Sequence, residues 1–190
     1  MMTGVFGGSF NPIHNAHIAL GRHLLKETGL DEIWFVVSPQ NPLKRQEGLM
    51  PDDFRMEMAR KALKNEDGLK ACDYEMHLPK PSYMWVTLQN MSRDWPDREF
   101  VLIIGSDNWL DFSRWHRADD IIRHYRIIIY PRPGYPVDKA ALPATVTLAD
   151  TPFIDISSTE IRRRMSAGED YSQLVPPVVA KMLEESLERL

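Results

Sequence analysis

The chain has 190 residues, 43% of them hydrophobic and 26% charged, and a net charge of -4. That length suits one domain with a sizeable core, and the acidic surplus argues against a general nucleic-acid binder while leaving room for a local basic pocket. A single cysteine, Cys72, rules out an internal disulfide and fits a cytoplasmic location. Nothing reads as a signal peptide, and no run approaches the ~18–20 apolar residues of a membrane span.

Residues 3–6 are a short apolar run, expected as a buried strand. Residues 15–27 read as a helix, with Gly29 just beyond as a stop signal. The run "EIWFVVS" is a second strand, rich in β-branched and aromatic residues. Residues 39–51 are polar and proline-punctuated, hence a loop, and 52–63 follow as a helix with Phe54, Met58 and Ala62 on one stripe. A weak strand is expected at 69–73 and a helix at 83–94. "EFVLIIG" is the strongest strand, since a continuous apolar run suits a strand covered on both faces. Short helices are expected at 108–116 and 118–123, strands at "YRIIIYP" and "ATVTLA", and helices at 158–165 and 177–190. Alternating strands and helices predict an α/β fold: a doubly wound, mostly parallel sheet in one domain, residues 1–190, whose part from 158 to 190 is helical.

In such a sheet ligands sit beyond the carboxyl ends of the strands. The stretch "GVFGGSFNPIHNAHIALGRHLL" crosses the first strand-to-helix turn. Gly7 and Gly8 allow close backbone approach, Asn15 is placed to cap the helix, and the helix start suits phosphate. His14 and His17, three residues apart, face one spot and can donate hydrogen bonds to phosphate oxygens. Zinc is the weaker reading, because no third Cys or His has a persuasive spacing. The G-x-G-x-x-G and G-x-x-x-x-G-K-[ST] patterns are absent, which counts against hydride transfer and P-loop chemistry. Near the other end, "ISSTEIRRRM" carries Ser157 and Glu160 in capping-box spacing. Ser158 and Thr159 then fall in the first turn, with Arg162 one turn on, as a second phosphate cradle; an ordinary capped helix with a solvated Arg face is the alternative.

"GGSFNPIHNAH" together with "ISSTEIR" resembles the signature pair of the HxGH-type nucleotidyltransferases. "PLK", "PSYMWVTL", "IIGSDNW", "RWH" and "PRPGYP", in that order, are similar to the bacterial nicotinate-nucleotide adenylyltransferase family. Ala16 stands where glycine is usual between the histidines, and Met84 where threonine is usual.

The resemblance implies a Rossmann-like nucleotidyltransferase fold and a reaction of ATP with nicotinate mononucleotide, giving nicotinate adenine dinucleotide and pyrophosphate for NAD biosynthesis. It implies catalytic roles for His14, His17, Lys44 and Arg162, and an ATP site of Gly7, Gly8, Ser9, Phe10, Gly105, Asp107, Ile156, Ser158 and Thr159. It assigns the mononucleotide to Tyr83, Met84, Trp85, Trp115 and Arg132, with no protein-held metal and Mg²⁺ bridging the phosphates. Met84 cannot donate, so backbone N–H groups near 83–85 and beside Trp115 are expected to favour the acid over the amide. The expected partners are these small molecules, with no nucleic acid or membrane and with a homo-oligomer left open. Transfer to phosphopantetheine or nicotinamide mononucleotide, and non-catalytic adenine-nucleotide binding, are the alternatives.

Overall fold

The computed structural model describes residues 1–39, 48–152 and 155–188. Six strands, β1 (Met2–Gly8), β2 (Glu32–Val37), β3 (Leu69–Cys72), β4 (Glu99–Gly105), β5 (Arg126–Tyr130) and β6 (Val146–Leu148), form one sheet in the order β3-β2-β1-β4-β5-β6. Every pairing is parallel. The helices are α1 (Asn15–Thr28), α2 (Asp52–Leu63), α3 (Met84–Asp94), α4 (Ser106–Leu110), α5 (Ala118–His124), α6 (Ser158–Ala167) and α7 (Pro177–Leu187).

Alternation along the strands builds two cores. Phe6, Ile33, Phe35, Val37, Val101, Ile103 and Ile128 face α1, α2, α6 and α7. Val5, Trp34, Val36, Leu102, Ile104, Ile127 and Ile129 face α3 and α5. The inner strands β2, β4 and β5 bury both faces, which is why they show continuous apolar runs, while the edge strands β3 and β6 expose Lys70 and Thr147. The order reverses between β1 and β4, so the crevice beyond their carboxyl ends is the topological switch point.

Three elements depart from the sequence expectation. The expected stripe of α2 packs on the core, with Met58 buried and Phe54 and Ala62 half-buried against it; the buried face is wider than expected, taking in Arg55, Met56, Ala59 and Leu63. The expected helix at 108–116 is instead α4, a 3-10 turn at Phe112–Arg114 and an extended Trp115 (φ -72°, ψ 145°). The N-cap of α1 is His14, not Asn15. Asn15 Nδ2 donates to the Gln173 carbonyl at 3.0 Å and its N–H to that of Leu174 at 3.0 Å, tying α1 to the segment before α7.

Candidate active site

Two adjoining cavities open at the switch point. The smaller, of about 130 Å³, has walls from the ends of β1 and β4, Ser82–Met84 and Arg114–His116. The larger, of about 590 Å³, runs from the β1–α1 loop past Arg132 to the start of α6. Phe6, Gly7, Gly8, Ser38, Asn108 and Tyr130 line both, so two ligands seated in them would meet there.

The β1–α1 loop is held from below. Phe10 sits at φ 42°, a left-handed conformation rare for a bulky residue. Burial at 2% exposure and ring contacts to Phe6, Phe35 and His17 keep it there. Asn11 fixes the next loop: its Nδ2 donates to the Gly48 carbonyl at 2.9 Å and its Oδ1 accepts the Met50 N–H at 3.0 Å. Arg55 is fully buried. Its guanidinium donates to the carbonyls of Ser9, Ser38 (2.9 Å) and Met50 (3.0 Å) and to Asp52 Oδ1 (2.6 Å), clamping the loops after β1 and β2 together.

At the start of α1 the His14 N–H donates to His17 Nδ1 at 3.2 Å, and the two rings stack with centroids 3.6 Å apart. That bond leaves the proton of neutral His17 on Nε2. Both histidines line the larger cavity. Burial, and then the positive charge of Arg132, push His14 down to about 3, so its imidazole is neutral at physiological pH. Its Nδ1 is buried without a partner among the described residues.

This gives a pH prediction with a definite sign. The unfolded chain protonates His14 below its ordinary value of 6.5, whereas the folded chain does not until about 3. Stability contributed by neutral His14 is therefore present above pH 6.5 and falls as pH drops through that window. Between pH 7 and 5 the expected loss is roughly 2 kcal/mol. Carboxylates held low, such as Glu32 beside Lys70, Thr3 and Arg98, act only at lower pH. Denaturant unfolding at the two pH values should show this slope in wild type and not in His14→Asn; equal slopes would refute it.

The second motif docks on the first. Ser157 caps α6, its Oγ accepting the Glu160 N–H at 3.1 Å. Glu160 does not complete the box; it pairs with Arg163 and Arg164. Ser158 Oγ donates to the Pro12 carbonyl at 2.9 Å, and Arg162 Nη1 to the Asn11 carbonyl at 2.8 Å. Ile156, Ser157, Ser158, Thr159 and Arg162 thus face the histidines across the larger cavity.

The remaining expected residues divide unevenly. Gly7, Gly8, Ser9, Phe10 and Ala16 line the larger cavity, and Tyr83, Met84 and Trp115 the smaller. A Cβ at Gly7 would lie 2.8 Å from Met84 Cε, so glycine there lets the Met84 side chain reach across β1. Gly105, assigned to ATP, lines the smaller cavity. A Cβ there would collide with Asp107 Oδ1 and lie 2.9 Å from Arg132 Cδ. Asp107 lines neither cavity; its Oδ1 is buried and unpartnered among the described residues, and its Oδ2 is 3.6 Å from Arg132. Arg132, assigned to the mononucleotide, lines the larger cavity. Trp85 lines neither: one position past Met84 on α3, its ring turns into the α3–α5 core, with Arg117 5.3 Å over it. Lys44 lies outside the described residues.

Sequence reading missed Asn108 and Tyr130 at the junction, Arg55 beneath it, and Arg114 in the smaller cavity, which Glu75 also lines. The available signals were the resemblance motifs that hold them, "IIGSDNW" for Asn108 and "RWH" for Arg114. The described residues include no group of three or more His, Cys, Asp or Glu able to hold a metal. No helix among them is long and apolar enough to cross a membrane.

Residues 5–164 match the cytidylyltransferase-like family. A Bacteroides fragilis protein named "Probable nicotinate-nucleotide adenylyltransferase" is 46% identical over 95% of this chain and 90% of its own length. One of the same name from Bacteroides thetaiotaomicron is 45% identical over 97% and 92%. Among solved structures, Plasmodium falciparum nicotinic acid mononucleotide adenylyltransferase complexed with NaAD superposes with a TM-score of 0.83 at 21% identity, over 97% of this chain and 95% of that one. At that identity the superposition speaks for the fold.

Proposed function

The chain belongs to the nicotinate-nucleotide adenylyltransferase family within the cytidylyltransferase-like group, and we propose that it joins ATP to nicotinate mononucleotide, releasing pyrophosphate. The observation that carries this reading is the pair of cavities that meet over the ends of β1 and β4, one walled by phosphate-binding chemistry and one by aromatic and apolar groups. ATP takes the larger and the mononucleotide the smaller, so the acceptor phosphate comes up against the α-phosphate beside Gly8 and Asn108.

An oxygen of the acceptor phosphate attacks the α-phosphorus. The new O–P bond forms as the bond to the β-phosphate bridging oxygen breaks, and pyrophosphate leaves with that electron pair. A phosphate monoester has its second pKa near ~6 and is largely dianionic at neutral pH, so no general base is required. The protein's task is positioning and charge stabilisation. His17 donates from Nε2 to the reacting phosphates. His14, neutral in the free protein, gains basicity when a polyphosphate anion arrives beside it. Ser158, Thr159 and Arg162 hold the β- and γ-phosphates at the start of α6. Lys44 is assigned on resemblance alone.

Mg²⁺ fits as a passenger on the triphosphate. The imidazole, hydroxyl and guanidinium groups facing the larger cavity suit phosphate oxygens, and Asp155, the carboxylate in its lining, is not joined by enough acidic neighbours among the described residues to make a metal cage. The bound ion would supply charge neutralisation across phosphate oxygens. In the smaller cavity the first N–H groups of α3 lack intrahelical partners and are available to a carboxylate, and Trp115 offers a ring face. These groups favour the acid over the amide.

Arg162 gives a separable prediction. Arg162→Ala should lower kcat/KM for ATP on the order of 10–100-fold, the loss of a charged hydrogen-bond donor, and weaken pyrophosphate in the reverse reaction. Arg162→Lys should recover only part, because a two-pronged donor becomes a point charge. Unchanged constants for both ligands would remove Arg162 from the triphosphate site. The function as a whole is tested by pyrophosphate release with nicotinate mononucleotide, nicotinamide mononucleotide and phosphopantetheine offered in turn. The acid should be used best, and no release with any of them would leave nucleotide binding without catalysis.

A further inference from the structure

A carboxylate on the acceptor ring needs a counter-charge or water, because burying it unpaired is strongly unfavourable. Among the residues lining the smaller cavity, the acidic side chain is that of Glu75 and the guanidinium that of Arg114. Glu75 is 2% exposed, and its Oε1 accepts a hydrogen bond from Thr87 Oγ1 at 2.9 Å. It belongs to the interior of the wall, where an acidic ring substituent would meet a like charge in a poorly screened setting. The Met84 side chain, also in the lining, carries no hydrogen-bond donor.

Arg114 has the opposite character. Its side chain is 67% exposed, and the Asp111 carboxylate that accompanies it stands 3.7 Å from Nη1, outside hydrogen-bond reach. The next two residues are both engaged with the cavity wall: Trp115 packs on Phe112 at 5.0 Å, and His116 lies against Tyr83 with ring centroids 4.7 Å apart. Arg114 is thus the cation that the described residues bring to this cavity.

We propose that Arg114 is a specificity-determining residue for the acceptor: beside the free N–H groups at the start of α3, its guanidinium pairs with the carboxylate of nicotinate mononucleotide, while the Glu75 carboxyl disfavours that carboxylate in the cavity interior. Together they orient the ring with its acid group toward Arg114. An amide receives neither the ion pair nor the repulsion. The inference rests on the assignment of this cavity to the acceptor. Because Arg114 is exposed, water and salt screen the pair, and the expected effect is modest.

The test compares wild type, Arg114→Ala and Arg114→Lys at saturating ATP and Mg²⁺, with nicotinate and nicotinamide mononucleotides as acceptors. An exposed position tolerates both changes, and circular dichroism confirms the fold. Arg114→Ala should lower kcat/KM for the acid about fivefold, chiefly through KM, and leave that for the amide within about 1.5-fold. Arg114→Lys should restore part of the loss. Where turnover of the amide is too slow to time, its inhibition constant against the acid supplies the comparison. Equal losses for both acceptors, or no loss for the acid, would overturn the inference and leave adenylyl transfer standing. A wild type that uses neither acceptor would overturn both.

Discussion

Replacing His17 by alanine lowers kcat on the order of 10²–10³ while the protein stays folded; that is the loss typical of removing one donor aimed at developing charge. His17 lines the larger cavity and is not part of either core. Its Nδ1 takes the His14 N–H, which sets Nε2 as the donor. Alanine is the best helix former, so α1 survives, while the fold gives up the bond from the His14 N–H and the ring contacts to Phe6, Phe10 and His14, on the order of 1–2 kcal/mol. The split between a small stability change and a large rate change is what marks a group acting on the reaction. Thermal melts and steady-state kinetics on the same preparation check it. A folded His17→Ala protein turning over within a few-fold of wild type would remove His17 from the chemistry.

Arg55→Ala has the opposite profile. The guanidinium is fully buried, and its removal strands the carbonyls of Ser9, Ser38 and Met50 without their donor. Asp52 keeps Lys80 at 2.9 Å, so the carboxylate is not wholly abandoned. Breaking a buried charged network of this kind costs about 3–5 kcal/mol, which for a chain of this size lowers Tm by roughly 10 °C. The loops after β1 and β2 lose their clamp, so KM for ATP should rise even though Arg55 touches no ligand. Arg55→Met fills the volume and supplies no donors; it should stay nearly as unstable. A Tm within about 2 °C of wild type would show that the clamp carries no weight.

Arg55 also shows where sequence reading stops. Periodicity counts a charged residue as solvent-facing, and only the folded chain reveals three carbonyls waiting for it inside. The strands were legible because burial on both faces writes continuous apolar runs, as in "EFVLIIG" and "RIIIY". The two phosphate motifs were legible as helix starts, but their mutual docking was not: Ser158 on Pro12 and Arg162 on Asn11 join residues about 150 apart in the chain. Which cavity a residue faces depends on a rotation that spacing does not reveal. Trp85 follows Met84 directly, yet turns away from the site, since neighbours on a helix point about 100° apart. Arg132 and Gly105 lie on adjacent strand ends and line different cavities for the same kind of reason.

Adenylyl transfer at this site requires two substrates to meet at the junction of the cavities. It is tested most directly with ATP labelled at the α-phosphate, incubated with nicotinate mononucleotide, Mg²⁺ and the protein. Label should enter a dinucleotide and be absent from the released pyrophosphate, with product formed only when both substrates are present. Label remaining in ATP, or appearing as free AMP with no dinucleotide, would contradict it.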